Sequence, residues 1–268
     1  MSARVFFNVL ILLTFVKIGV LWQFSHRVLE HHKMTLPRSW LGKALLAPSY
    51  LADWNADVFF SIALAFLIIA FFLQPRYLTT LLYFWLTLNL YVIYLPFASG
   101  SDMVTFMLAL WLIPVATRPQ ISSENGRIWQ KAFFNVGLFL CQLQVVFIYF
   151  ISGADKLQNA AWRSGVAVDY ITHLNTMFNP VLTGTFDNPL VHLLFSWAII
   201  IFELGFVVLV WFKRTRLMAL AAGIFFHLLI WTVMSLPDFA AVMMASYLVF
   251  VKDSELRRFR NLVRRLLP

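Results

Sequence analysis

Residues 189–212 read PLVHLLFSWAIIIFELGFVVLVWF, and Glu203 is the only formal charge among them. A helix rises about 1.5 Å per residue, so roughly 20 apolar residues cross the ~30 Å hydrocarbon core of a bilayer. Seven more runs resemble this one, at 5–24, 58–73, 77–97, 103–117, 132–151, 217–236 and 239–251. The runs at 103–117 and 239–251 are short, which suits tilted, half-spanning or re-entrant segments. The chain reads as all-α, a polytopic transmembrane helical bundle of about eight spans. Residues 1–251 form the membrane domain and 252–268 a basic cytoplasmic tail.

The bulk composition agrees. Of 268 residues 61% are hydrophobic and 12% charged, and mean hydropathy is +0.79. A soluble domain carries about 25% charged residues. A soluble core of this length could not hide 28 Phe and 10 Trp together with the aliphatics. A separate soluble catalytic module has no room. Only Arg4 precedes the first run and no small-residue cleavage site follows it, so that run is expected to be a retained helix.

The net charge of +9 would suggest nucleic acid in a soluble protein. Here the basic residues lie between and after apolar runs, as positive-inside loops do, so no nucleic-acid partner is expected. With eight spans and a cytoplasmic N-terminus, 14 basic residues fall inside and six outside: Arg27, Lys33, Arg38, Lys43, Lys156 and Arg163. Lys17 lies within the first run. This bias predicts both termini inside, with the long connections 25–57 and 152–188 facing outward, to the periplasm or an equivalent space. Their aromatic content (Trp40, Trp54, Trp162, Tyr170) predicts short interfacial helices. In the tail, Leu256, Phe259, Val263 and Leu266 recur at helical spacing among arginines. That pattern predicts an amphipathic helix on an anionic leaflet.

Charged groups inside spans are costly and face a cavity or a partner. From its inner end, Lys17 is about 18 Å deep in the first run, Glu203 about 14 Å in the sixth and His227 about 15 Å in the seventh. These depths predict a buried polar cluster of Lys17, Glu203 and His227. It either ties the bundle together or forms a proton path or the floor of a site. Asn135 and Gln142 share a helix face and are either interhelical hydrogen-bond donors or the lining of a polar interior. The single cysteine, Cys141, excludes an intrachain disulfide or a C-x-x-C redox motif. Six histidines occur without metal-ligand spacing, so no metal is expected.

The most specific stretch is QVVFIYFISGADKLQNAAWRSGVAVDY, residues 144–170. An apolar helix is expected to end at Ile151, with Ser152 and Gly153 turning the chain and Lys156 at the outer membrane face. The order Gln144, Tyr149-Phe150-Ile151, Gly153, Lys156-Leu157, Trp162, Gly165, Tyr170 resembles the horizontally transferred transmembrane (HTTM) domain. This is the membrane domain of vitamin K-dependent gamma-carboxylase and of small bacterial, SdpB-like members. The stretch FFHLLIWTVMSLPDFAAVMMASYLVF resembles the family's Phe-His helix and its Phe-containing final helix, with His227 and Phe239 in the corresponding places. FELGF around Glu203 resembles its acidic helix.

The resemblance implies Lys156 and His227 as catalytic residues. Lys156 would be the base that deprotonates a reduced quinone of the vitamin K hydroquinone type. With dioxygen the ionised quinol yields a strong base for proton abstraction. Gln144, Trp162, Tyr170 and Asn89 are implied on the substrate-binding side. The expected partners are the lipid bilayer and an exported peptide or protein. The sequence departs from the carboxylase where Asn89 is followed by Leu90 in place of a histidine. It also carries no large lumenal part, so carboxylation of a dedicated protein substrate is not expected. Two other readings stand beside this one. The chain could be a non-enzymatic membrane partner for export of, or immunity to, a small peptide. It could also be a DoxX-like quinone-linked redox protein, which with Cys141 alone would need a thiol redox partner.

Overall fold

The computed structural model describes residues 3–24, 39–73, 75–95, 99–116, 124–174, 179, 187–252, 254–256, 258 and 261. All the regular structure among them is helical. The elements are α1 (Ala3–Gln23), α2 (Trp40–Leu45), α3 (Ala47–Trp54), α4 (Ala56–Phe72), α5 (Tyr77–Ile93) and α6 (Gly100–Val115). They continue with α7 (Glu124–Gln158), α8 (Ala160–Arg163), α9 (Val166–Thr172), α10 (Pro189–Leu209), α11 (Arg216–Met234) and α12 (Pro237–Ser246). A 3₁₀ turn follows at Tyr247–Phe250. Each of the eight apolar runs has most of its described residues in one of these helices. Among the described residues, four helices are long and apolar enough to cross a membrane: α1, α7, α10 and α11. Another four are shorter apolar helices, at Ala56–Phe72, Tyr77–Ile93, Gly100–Val115 and Pro237–Phe250. The first two have 17 residues each and rise about 26 Å, slightly less than the hydrocarbon core. The tail's amphipathic pattern falls mostly outside the described residues.

Helix α10 illustrates why these elements need lipid. Its inner stripe, His192, Ser196, Ile200, Glu203 and Phe206, is buried at helical spacing. Its opposite stripe, Leu194, Ile201 and Val208, is apolar yet 61%, 65% and 55% exposed. A helix that buries its polar residues and exposes its apolar ones is stable only where the outer face meets a nonpolar solvent.

The chain divides into two compact units, Met1–Cys141 with Val251–Pro268, and Gln142–Phe250. In the first, α1 packs on α4, α5 on α6, and α3 on both α4 and α5. Phe6, Phe7, Leu10 and Ile11 of α1 are buried, as are Phe59, Phe60, Ala63 and Leu67 of α4. Phe7 meets Tyr83 edge-on at 5.5 Å between centroids, and the Tyr83 hydroxyl lies 2.8 Å from Thr14 Oγ1. The short helices expected before Asp57 are present as α2 and α3. Asn89 secures them: its side-chain oxygen accepts from Ser49 N at 3.1 Å and Ser49 Oγ at 2.7 Å. Its amide donates to the carbonyls of Trp85 at 2.8 Å and Leu45 at 3.4 Å.

In the second unit α10 packs against α8, α9 and α11, and α11 against α12. Gly165 begins α9 at φ 84°, and a Cβ there would lie 2.8 Å from Leu193 N. Glycine is thus required twice over, for the left-handed backbone and for the close approach of α9 to α10.

One local expectation fails. Ser152 and Gly153 do not turn the chain. Helix α7 continues to Gln158, so Lys156 lies in its last turn and not on a loop. The small residues do different work there. A Cβ on Gly153 would come within 2.9 Å of Leu204 Cδ2 and 3.1 Å of Glu203 Cβ. The missing side chain lets α10 press against α7 at this point, and that contact builds the site described next.

Candidate functional site

Tyr149, Ser152 and Lys156 recur at three and four residues, so they share one face of α7. Glu203 is carried to that face by the close contact at Gly153. Lys156 Nζ donates to Glu203 Oε1 and Oε2, both at 3.0 Å. Ser152 Oγ accepts from Lys156 Nζ at 2.5 Å and donates to Glu203 Oε1 at 3.1 Å. The Lys156 and Glu203 side chains are 16% and 6% exposed. The Trp162 ring lies under the ammonium, 5.0 Å from Nζ to centroid. Trp162 is held by its own backbone, whose carbonyl accepts from Ser196 Oγ of α10. The Arg163 carbonyl next to it accepts from Trp197 Nε1 at 3.2 Å. Together these make a carboxylate-held ammonium with an aromatic face beside it, at the end of a long apolar helix.

One turn back along α7, the Tyr149 hydroxyl lies 2.7 Å from His227 Nε2 and is also hydrogen-bonded to the Tyr247 hydroxyl. Gly223 makes room for this, since a Cβ there would collide with the Tyr247 hydroxyl. Aromatic rings enclose the group. Tyr149 stands 4.4 Å from Phe206 and 5.6 Å from Phe202 between centroids, and His227 is 5.3 Å from Phe226 and 5.7 Å from Phe239. His227 is 1% exposed, and among the described residues its Nδ1 has no hydrogen-bond partner. A buried polar nitrogen facing apolar rings is costly unless something else satisfies it.

The predicted cluster of Lys17, Glu203 and His227 separates into different pairings. Lys17 Nζ lies 2.5 Å from Asp102 Oδ1 and donates to Ser101 Oγ at 3.1 Å. Asp102 also caps its own helix, accepting from Ser99 N at 2.9 Å. Glu203 is on Lys156, and His227 is on Tyr149. Equal depth in a membrane is one coordinate only, and the depths left the angular position of each helix open. Asp102 and Tyr149 were missed as partners because neither residue type in a span's first turn or middle marks itself as a hydrogen-bond partner. The neighbouring acids Asp155 and Asp169 are the obvious sequence partners for Lys156, yet its ion pair is with Glu203. Asp169 lies instead 3.4 Å from His192 Nδ1 and 3.6 Å from His173 Nδ1.

The other implied residues scatter. Trp162 belongs to the site. Gln144 is half-buried on α7, and Tyr170 on α9 is 66% exposed. Asn89 is engaged by Ser49, Leu45 and Trp85 of its own unit. Gln142 donates to the Val249 carbonyl at 2.9 Å, as an interhelical hydrogen bond. Asn135 is exposed. Cys141 is a buried free thiol. Among the described residues no group of three or more His, Cys, Asp or Glu could hold a metal ion.

Comparison with known sequences supplies a family. A sequence model of the HTTM domain matches residues 3–254. Sporulation-delaying protein SdpB of Bacillus subtilis (strain 168) is 21% identical over 258 residues, covering 91% of this chain and 77% of that one. No solved structure matches.

Proposed function

The chain belongs to the HTTM family of membrane proteins, and from that premise we propose that it is a quinol-dependent membrane enzyme with Lys156 as its base, which modifies or matures an exported peptide. In this reading all eight apolar helices lie in a bacterial inner membrane, with both termini inside and Lys156 near the outer surface. The observation that carries it is the Lys156–Glu203 pair, with both carboxylate oxygens 3.0 Å from Nζ beside the Trp162 ring. A buried ammonium and carboxylate are costly to desolvate and add little stability over an apolar pair of the same size. Such pairs mark functional sites more often than structural ones when they lie inside a membrane span.

The residues fit an apolar ring that carries hydroxyl groups. Phe202, Phe206, Phe226 and Phe239 supply aromatic walls, and His227 Nδ1 is a buried hydrogen-bonding atom with no partner. Lys156 and His227 are the groups that would hold such a molecule, with Trp162 flanking the amine. When bound, a reduced quinone supplies, with dioxygen, a base strong enough to remove a proton from carbon. The chain's part is to receive the hydroxyl proton at Lys156 Nζ, to keep that amine oriented by Ser152, and to keep water out with its aromatic residues. An ammonium clamped by a carboxylate is not itself a base, so its proton must pass to an acceptor before Lys156 can act. The test is quinol turnover by the purified chain and by Lys156→Ala matched for folding. Wild-type turnover in that variant rejects the reading.

A second reading has its own support. The similar B. subtilis protein is named for delaying sporulation, which suits a membrane partner in export of, or immunity to, a small peptide. The exposed Tyr170, at 66%, would be a contact residue. Loss of peptide protection in Tyr170→Ala, with none in Lys156→Ala, would favour it over the enzyme.

A further inference from the structure

We infer that Glu203 is the proton acceptor behind Lys156: the two side chains act as one proton-exchanging unit, with Ser152 fixing its geometry. This rests on the reading of Lys156 as a base and assigns a role to a residue that would not touch the substrate. Both carboxylate oxygens lie 3.0 Å from Nζ, within direct proton-transfer distance and without an intervening water. Ser152 Oγ contacts both partners, accepting from the amine and donating to Oε1. Oε1 is therefore already hydrogen-bonded twice, and Oε2 is the oxygen better placed to take a proton.

The proton balance is simple. In the resting pair Lys156 is an ammonium and Glu203 a carboxylate. One proton moves from Nζ to Oε2, leaving a neutral amine and a neutral carboxylic acid. The amine then takes the proton of a weakly acidic hydroxyl. The products are the ammonium, the ionised hydroxyl and a protonated Glu203. No electron is transferred and no bond to carbon is made or broken.

Electrostatics favours this route. Before the step the site holds one cation and one anion, Lys156 and Glu203. After it the site again holds one of each, Lys156 and the ionised hydroxyl. No isolated charge is created at a place where the carboxylate is 6% exposed, and isolated buried charges are what low-dielectric surroundings penalise most. A lone lysine would first have to give its proton to the solvent before it could act as a base. The Gly153 contact that brings Glu203 Cβ against α7 is thus part of the chemistry as well as the packing.

The experiment uses the purified full chain in detergent with 1-naphthol, an apolar weak acid whose ionisation is visible in the ultraviolet. Difference infrared spectra report carboxyl protonation at the same time, and no turnover is required. Wild type should ionise bound naphthol and show a carboxylic-acid carbonyl band replacing carboxylate bands in equal amount. Glu203→Gln should lose that band and ionise naphthol at least about a hundredfold more slowly, the low end of what a positioned proton acceptor contributes to a rate. Lys156→Met should lose both signals. Lys156→Met/Glu203→Gln leaves no unpaired buried charge, folds without that penalty, and should also lose both. Naphthol ionised by wild type without a carbonyl band, or a band that survives in Glu203→Gln, overturns the relay and leaves the base reading standing. No ionisation by wild type overturns both.

Discussion

Breaking the Lys156–Glu203 pair from each side tests the central geometry without any knowledge of the substrate. Lys156→Met keeps the length of the side chain and removes its charge. It strands Glu203, 6% exposed, with Ser152 as its remaining donor. Removing one partner of a buried pair costs about 3–5 kcal/mol. Lys156 is 16% exposed, and Glu203 can take up a proton to shed its charge, so the low end, about 3 kcal/mol, is expected. Glu203→Gln strands the ammonium over the Trp162 ring, and the cation–π contact offsets part of the loss, leaving about 2 kcal/mol. The double variant removes both charges and should lie within about 1 kcal/mol of wild type. The coupling is then about 5 kcal/mol, the two single losses less the near-zero double loss. Unfolding in mixed micelles titrated with sodium dodecyl sulfate, followed by tryptophan fluorescence, reads all four proteins. If the single losses add to the double loss within about 0.5 kcal/mol, the two residues do not interact and the site as described does not exist.

Gly153→Ala should lower stability by up to about 2 kcal/mol, because overpacking against Leu204 outweighs the gain in helix propensity. In the same assay Gly205→Ala, whose nearest neighbour would be Leu209 Cδ1 at 3.8 Å, should be neutral or stabilising. Asn89→Leu removes the side-chain acceptor of Ser49 and one donor each to the Leu45 and Trp85 carbonyls, and should cost about 1–2 kcal/mol, with faster hydrogen exchange over residues 40–54. His173 is held above its ordinary pKa of 6.5, first by the Asp169 carbonyl and then by the Asp169 and Asp187 carboxylates. A raised pKa means that the tie between α9 and the start of α10 is complete below the unfolded value and is lost as pH rises through the folded one. Hydrogen exchange at residues 169–174 should therefore speed up above pH 6.5 beyond its intrinsic pH dependence, and His173→Gln should remove the excess.

How legible the site was depended on the kind of residue. Lys156 and Trp162 stood out because the HTTM resemblance named them; by themselves an interfacial lysine and tryptophan after an apolar run are ordinary membrane anchors. Ser152 and Gly153 were visible but misread as a turn. Small residues break helices in water, yet inside a bundle they are also how helices come close, and single-sequence reading cannot separate the two. Tyr149 and Tyr247 looked like two more aromatics among many. Their hydroxyls matter only because His227 meets them, across 78 residues in one case.

The apolar content and the positions of the eight apolar helices were determined by the sequence alone. The length and polarity of a run are local properties, and a helix satisfies its backbone within itself wherever lipid removes water. The partners of the few charged residues were decided only by the tertiary structure. Lys17 meets Asp102 and Lys156 meets Glu203 over separations of 85 and 47 residues. Such pairings depend on how each helix is rotated about its axis. That rotation is set by close contacts such as Gly153 against Leu204, to which hydrophobicity summed along the chain is blind.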